Sequence, residues 1–158
     1  MNEPTAIRAS SITRVKTRWL GGLRCRSRIE RDASNDSYAS IILESDSPSL
    51  ADVRGTDSAA SAAEHLLHAL ASSVTATMVE GADSIGLPIE RVMAKTTGLR
   101  QVAENDSSSD ATLKAIDIEI AVTANFRATD LESFCVNDPM YKTLRRALPI
   151  NISVHQTS

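Results

Sequence analysis

The chain has 158 residues, 42% of them hydrophobic and only 3% aromatic, with a formal net charge of −3. That length predicts a single domain over 1–158, with a core built from Leu, Ile, Val, Ala and Met. The negative balance argues against general nucleic-acid binding, the lack of about 18 consecutive apolar residues against a transmembrane helix, and two cysteines against a disulfide framework.

Residues 1–11 contain no apolar signal-peptide core and read as a flexible N-terminus, so cytoplasmic residence is expected. In that compartment Cys25 and Cys135 are expected as free thiols. Charge is unevenly spread, because residues 1–31 carry eight Arg/Lys against two Glu. Residues 12–20 alternate apolar and basic side chains. Residues 23–29 repeat the alternation, with Arg24, Arg26 and Arg28 on one face and Leu23, Cys25, Ser27 and Ile29 on the other. Gly21-Gly22 between them signals a hairpin turn. Ser37 to Leu43 reads as a third strand, and residues 44–61 as a loop rich in Ser and Asp.

Ala62 to Gly81 is the strongest helix. At about 100° per residue, Leu66, Leu67, Leu70, Val74 and Thr77 share one broad face. Glu64, His65, His68, Ser72 and Thr75 form the opposite polar stripe, and Ser73 sits at the edge of the apolar face. Ile89 to Leu99 follows as a strand. Residues 101–111 read as a flexible polar hairpin loop, and Leu113 to Ala124 as a half-buried strand. Asp130–Phe134 and Pro139–Ala147 are short helical segments, and Ile150 to His155 is a closing strand. The order βββ-α-ββ-αα-β predicts an α+β fold, its long central helix packed on antiparallel sheets.

That order, together with several short motifs, resembles the OsmC/Ohr family. Arg18-Trp19-Leu20-Gly21-Gly22-Leu23-Arg24 is similar to the family's R-W-x-G-G-[FL]-R hairpin, and Gly55-Thr56-Asp57-Ser58 to its G-T-D-T stretch. Residues 64–73 resemble E-x-L-L-x-A-L-A-x-C. Asp138 to Leu144 resembles C-P-V-Y-x-T-L, followed by Leu148-Pro149-Ile150 for a closing V-P-V strand. The resemblance implies an intertwined homodimer with two pockets at the subunit interface, suited to small, partly apolar organic molecules.

The departures bear on chemistry. By the resemblance, the family's reactive cysteine falls on Ser73 and its second cysteine on Asp138. In the family the first thiolate attacks peroxide oxygen and the second resolves the sulfenic acid as a disulfide. Neither a serine hydroxyl nor a carboxylate can do this. The leading expectation is therefore a non-redox descendant. Its pocket would bind or transform an organic molecule by acid/base chemistry through Ser73, Asp138, Glu64 and His68, with Arg18, Arg24, Leu70, Thr77 and Tyr141 as binding residues. One alternative is thiol-dependent hydroperoxide reduction through Cys135, and another is a non-catalytic, partner-binding dimer.

Each candidate also has a structural reading. Ser73 is a small residue that permits close packing, and Asp138 before Pro139 fits a helix N-cap. Glu64 and His68 form an i,i+4 pair, and the arginines are the charged face of an edge hairpin. No cofactor motif or metal-ligand spacing is present, so neither a cofactor nor a metal is expected.

Overall fold

The computed structural model describes residues 14–30, 41–46, 56–101, 112–124 and 129–157. The expected flexible terminus at 1–11, most of the 101–111 loop and the start of the third strand lie outside those residues. The chain divides into two compact units, Met1–Ala62 and Ala63–Ser158.

The first unit holds an antiparallel sheet of β1 (Arg14–Gly21), β2 (Arg24–Glu30) and β3 (Ile41–Ser45), in that order. Gly21 and Gly22 make the β1–β2 turn with φ of 108° and 56°, a region costly for residues bearing a Cβ. The Trp19 indole N–H donates to the Gly22 carbonyl at 3.0 Å and fastens the turn. The alternation read from the sequence is present: Leu23, Cys25, Ser27 and Ile29 are half-buried, and Arg24, Arg26 and Arg28 are exposed.

Directly after β3, Asp46 is nearly sealed from solvent. One of its oxygens, Oδ2, accepts from Thr56 Oγ1 at 2.6 Å and Thr56 N at 3.0 Å. The same oxygen accepts from Ser58 Oγ at 3.1 Å and Ser58 N at 3.2 Å. These donors, the Thr56 hydroxyl foremost, hold the Asp46 carboxyl well below the usual carboxylate range despite the opposing effect of burial. The segment preceding the long helix is thereby tied to the end of β3.

The second unit contains α1 (Ala62–Ser84), apart from its first residue, then β4 (Ile89–Gln101), β5 (Thr112–Ala124), α2 (Thr129–Cys135), α3 (Pro139–Leu144) and β6 (Ile150–Thr157). α1 buries Leu70, Val74, Met78 and Ala82, one residue per turn along a single stripe. Burial of each of the larger three stabilises by roughly 2 kcal/mol. Their cover is β5, whose Ile116, Ile118, Ile120 and Val122 are closed to solvent; Leu131, Cys135, Tyr141 and Ile150 complete the core.

The sheet order is β4-β5-β6, so β5 is central. β4 pairs with β5 antiparallel, but β6 runs parallel to it, from Ile116↔Ile150 to Thr123↔Thr157. The sequence reading of purely antiparallel sheets is corrected on this point. A parallel neighbour needs a crossover of a dozen or more residues, and the chain between β5 and β6, carrying α2 and α3, supplies it. α3 is also shorter than the expected 139–147. It stops at Leu144, after which the backbone tightens into i→i+3 bonds from Arg146 N to Thr143 O and from Ala147 N to Leu144 O.

Two tests follow from these contacts. Because the folded-state pKa of Asp46 is depressed, its contribution to stability is present above the unfolded value of 3.8 and is lost as pH falls below it. Asp46→Asn is expected to flatten the acid limb of a plot of urea midpoint against pH. At Gly81 a Cβ would run into the Phe134 ring. Alanine there gains up to about 1 kcal/mol in helix propensity, while overpacking costs about 1–3 kcal/mol. Gly81→Ala is therefore expected to be net destabilising by about 1 kcal/mol in urea unfolding, the reverse of the usual sign for glycine to alanine in a helix.

Candidate functional site

Ser73 and Thr77 stand one turn apart on α1, at the edge of its buried stripe, so their hydroxyls project on the same side. The start of α3 meets them there. Asp138 is the N-cap of α3, with φ −56° and ψ 133°, and Pro139 opens the first turn with its fixed φ. The Asp138 side chain is fully buried. Oδ1 accepts from the backbone N–H of Tyr141 at 2.7 Å. Oδ2 accepts from Ser73 Oγ at 2.6 Å and from Thr77 Oγ1 at 2.9 Å. The carboxylate is thus satisfied on both oxygens, and the Ser73 bond has the short length of a charge-assisted pair.

This arrangement limits what the site can do. The Ser73 hydroxyl points its proton at a carboxylate, which is far too weak a base to generate an alkoxide. His65 and His68 project about 80° and about 140° around α1 from Ser73 and lie roughly 12 Å and 8 Å from it along the axis, so neither is placed to act as its base. Glu64 and His68 are exposed and His65 is half-buried. Leu70 lies within the core. Tyr141 supplies its backbone N–H to the cap, and its ring lies beneath the Arg145 guanidinium at 5.5 Å from the centroid. The structure therefore joins Ser73, Thr77, Asp138 and the Tyr141 backbone, and leaves Glu64 and His68 out of that cluster.

Arg18 and Arg24 belong to the first unit. Both are exposed on the β1–β2 hairpin, and Arg24 lies 4.0 Å from Glu44. Among the described residues no three of His, Cys, Asp and Glu converge in a way that could hold a metal ion.

Cys135, in the last turn of α2, is fully buried. Burial pushes its thiol up to about 11, and the neighbouring carboxylates of Glu132 and Asp138 act in the same direction. At neutral pH its thiolate share is then on the order of one in ten thousand. Cys25 is half-buried in β2, opposite Trp19 on one side and Ser45 on the other.

A long helix followed by a strand pair, two short helices and a parallel closing strand, with a three-stranded hairpin sheet before it, has counterparts among solved structures. The fold is that of the OsmC and Ohr proteins. An OsmC-like protein of Mycoplasma pneumoniae superposes with a TM-score of 0.64 at 16% identity, over 96% of this chain and 100% of that one. The organic hydroperoxide resistance protein OsmC of Legionella pneumophila gives 0.65 at 13%, over 93% and 98%. An organic hydroperoxide resistance protein of Elizabethkingia anophelis, solved with thiocyanate bound, gives 0.64 at 9%, over 96% and 100%. Neither a family model nor a curated protein matches the sequence. The OsmC fold is thus shared at identities where backbone is retained and side-chain chemistry is free to differ.

Sequence reasoning named Ser73, Thr77 and Asp138 but not the bonds among them, and it missed Asp46 altogether. The i,i+4 spacing of Ser73 and Thr77 was the available signal for the first. Asp46 had none, because its partners lie ten and twelve residues away across a loop.

The Asp138 cluster sets a stability test. Asp138→Ala removes the α3 cap and leaves the Ser73 and Thr77 hydroxyls without their acceptor, which is expected to cost about 2–4 kcal/mol in urea unfolding. Thr77→Val, which leaves the Ser73 and Tyr141 donors in place, is expected to cost about 1 kcal/mol or less. A cost for Asp138→Ala within about 0.5 kcal/mol of zero, the size typical of a surface substitution, would show that the cluster carries no strain-free bonds of consequence.

Proposed function

We propose that this chain is a non-redox protein of the OsmC fold, a homodimer that binds a small, partly apolar organic molecule beside Ser73 without thiol peroxidase chemistry. The observation that carries this reading is the 2.6 Å hydrogen bond from Ser73 Oγ to Asp138 Oδ2. Those are the two positions to which the sequence resemblance assigns the family's reactive and resolving cysteines. A bonded hydroxyl–carboxylate pair there replaces a redox couple with a fixed polar contact, and oxygen in these groups has no oxidation ladder to climb.

Two further features support it. Cys135, the cysteine near that cluster, is buried and held protonated, and among the described residues both charges that act on it are negative where a peroxidatic thiol needs a cation. Asp138 is sealed from solvent with three donors on it, so proton exchange with a substrate would require breaking the tie between α1 and α3. That favours binding over acid/base catalysis through this carboxylate.

The test is consumption of cumene hydroperoxide by the purified protein with a dithiol reductant. No turnover above the reductant-only rate is expected, and Cys135→Ser is expected to change nothing. Cumyl alcohol, which keeps the apolar body and hydroxyl of that substrate, is expected to raise the melting temperature of wild type more than that of Ser73→Ala. Rapid peroxide turnover abolished by Cys135→Ser would overturn the proposal and establish thiol chemistry in its place.

A further inference from the structure

The β1–β2 hairpin carries an unusual pairing. Lys16 lies directly opposite Arg28, and Arg18 directly opposite Arg26. Side chains at opposed positions of antiparallel strands share a face about 5 Å apart, and like charges so placed destabilise the pair. The four side chains line a cleft of about 270 Å³, its walls formed mostly by their aliphatic stems and by Ile42 of β3, the cross-strand neighbour of Arg28, with the charged groups at its rim. Thr17 and Ser27 lie between the cations along the strands and are hydrogen-bonded to each other at 2.9 Å, which holds the two rows in register.

Only part of this charge is answered within the sheet. Glu44 takes both Arg26 Nε at 2.8 Å and Arg26 Nη2 at 2.5 Å. Among the described residues neither Arg18 nor Arg28 has an ion-pair partner. A soluble edge strand needs some charge, but it does not need cations facing cations across a cleft.

We propose that this cleft binds a small phosphorylated molecule, held between Arg18 and Arg28 with its apolar part toward Ile42. Arg18 and Arg28 together carry two positive charges, an excess that a monocarboxylate cannot balance. A phosphate group carries about −1.5 to −2 charge at neutral pH and presents oxygens that match the planar guanidinium fork. The volume admits a group of diphosphate size and is below that of sites for drug-sized ligands. A nucleic-acid backbone is the less suitable source, because the whole chain is net negative at −3. This site lies wholly on β1, β2 and β3, so the inference stands apart from the reading of Ser73 and Asp138.

Sodium pyrophosphate is the probe, with sodium acetate at matched ionic strength as control, read by calorimetry on the full chain. Pyrophosphate is expected to bind at least tenfold more tightly than acetate. It is also expected to raise the melting temperature as its concentration rises, because binding to the folded state alone stabilises it by mass action. The Arg18→Gln/Arg28→Gln variant is expected to lose at least tenfold in pyrophosphate affinity, with an unchanged far-ultraviolet circular dichroism spectrum. Without ligand it is expected to melt no lower than wild type, since cross-strand repulsion is relieved. Equal responses of wild type to pyrophosphate and acetate would overturn the proposal, and that comparison decides even if the variant fails to fold. Unchanged affinity in a folded variant would overturn it too. So would tighter binding of a single-stranded 12-mer oligonucleotide than of pyrophosphate, which would assign the patch to a polymer.

Discussion

One buried carboxylate organises the second unit. Asp138 caps α3 through Tyr141 N and ties that helix to α1 through Ser73 and Thr77. A carboxylate closed to solvent without such donors would carry a desolvation penalty of several kcal/mol, so the three bonds are a condition of its burial as well as a benefit. They also fix where the chain after α2 must sit. From there it turns into β6 and pairs in parallel with the central strand β5.

Asp46 in the first unit follows the same rule. Its burial is answered by two hydroxyls and two backbone N–H groups. Both buried carboxylates among the described residues are thus satisfied by threonine, serine and backbone donors. The hairpin arginines stay on the exposed sheet face. The core's polar contacts thus have defined geometry, while Arg18 and Arg28 stand exposed on the sheet without an ion-pair partner among the described residues.

The same division bears on redox capacity. A reactive thiol needs exposure and a nearby positive charge. Among the described residues Cys135 has neither, being part of the same buried cluster as Leu131, Tyr141 and the α1 stripe and flanked by acidic groups. The OsmC fold supplies the frame; the side chains at Ser73, Asp138 and Cys135 decide what chemistry the frame can host.

The sequence by itself determined the element order, because each element's signal is local. Apolar residues at helical spacing marked α1, alternation marked β2 and β5, Gly21-Gly22 marked the hairpin, and Asp138-Pro139 marked the start of α3. It also brought Ser73 and Asp138 forward as the positions to examine. Only the tertiary structure decided that these two side chains are bonded to each other and to Thr77, that β6 runs parallel to β5, that Asp46 is a buried anchor, and that Glu64 and His68 stand outside the cluster. Those facts rest on contacts between residues separated by between 10 and 65 positions. Local patterns carry no record of which distant partner will satisfy a given polar group; that is settled when burial forces every donor and acceptor to find one.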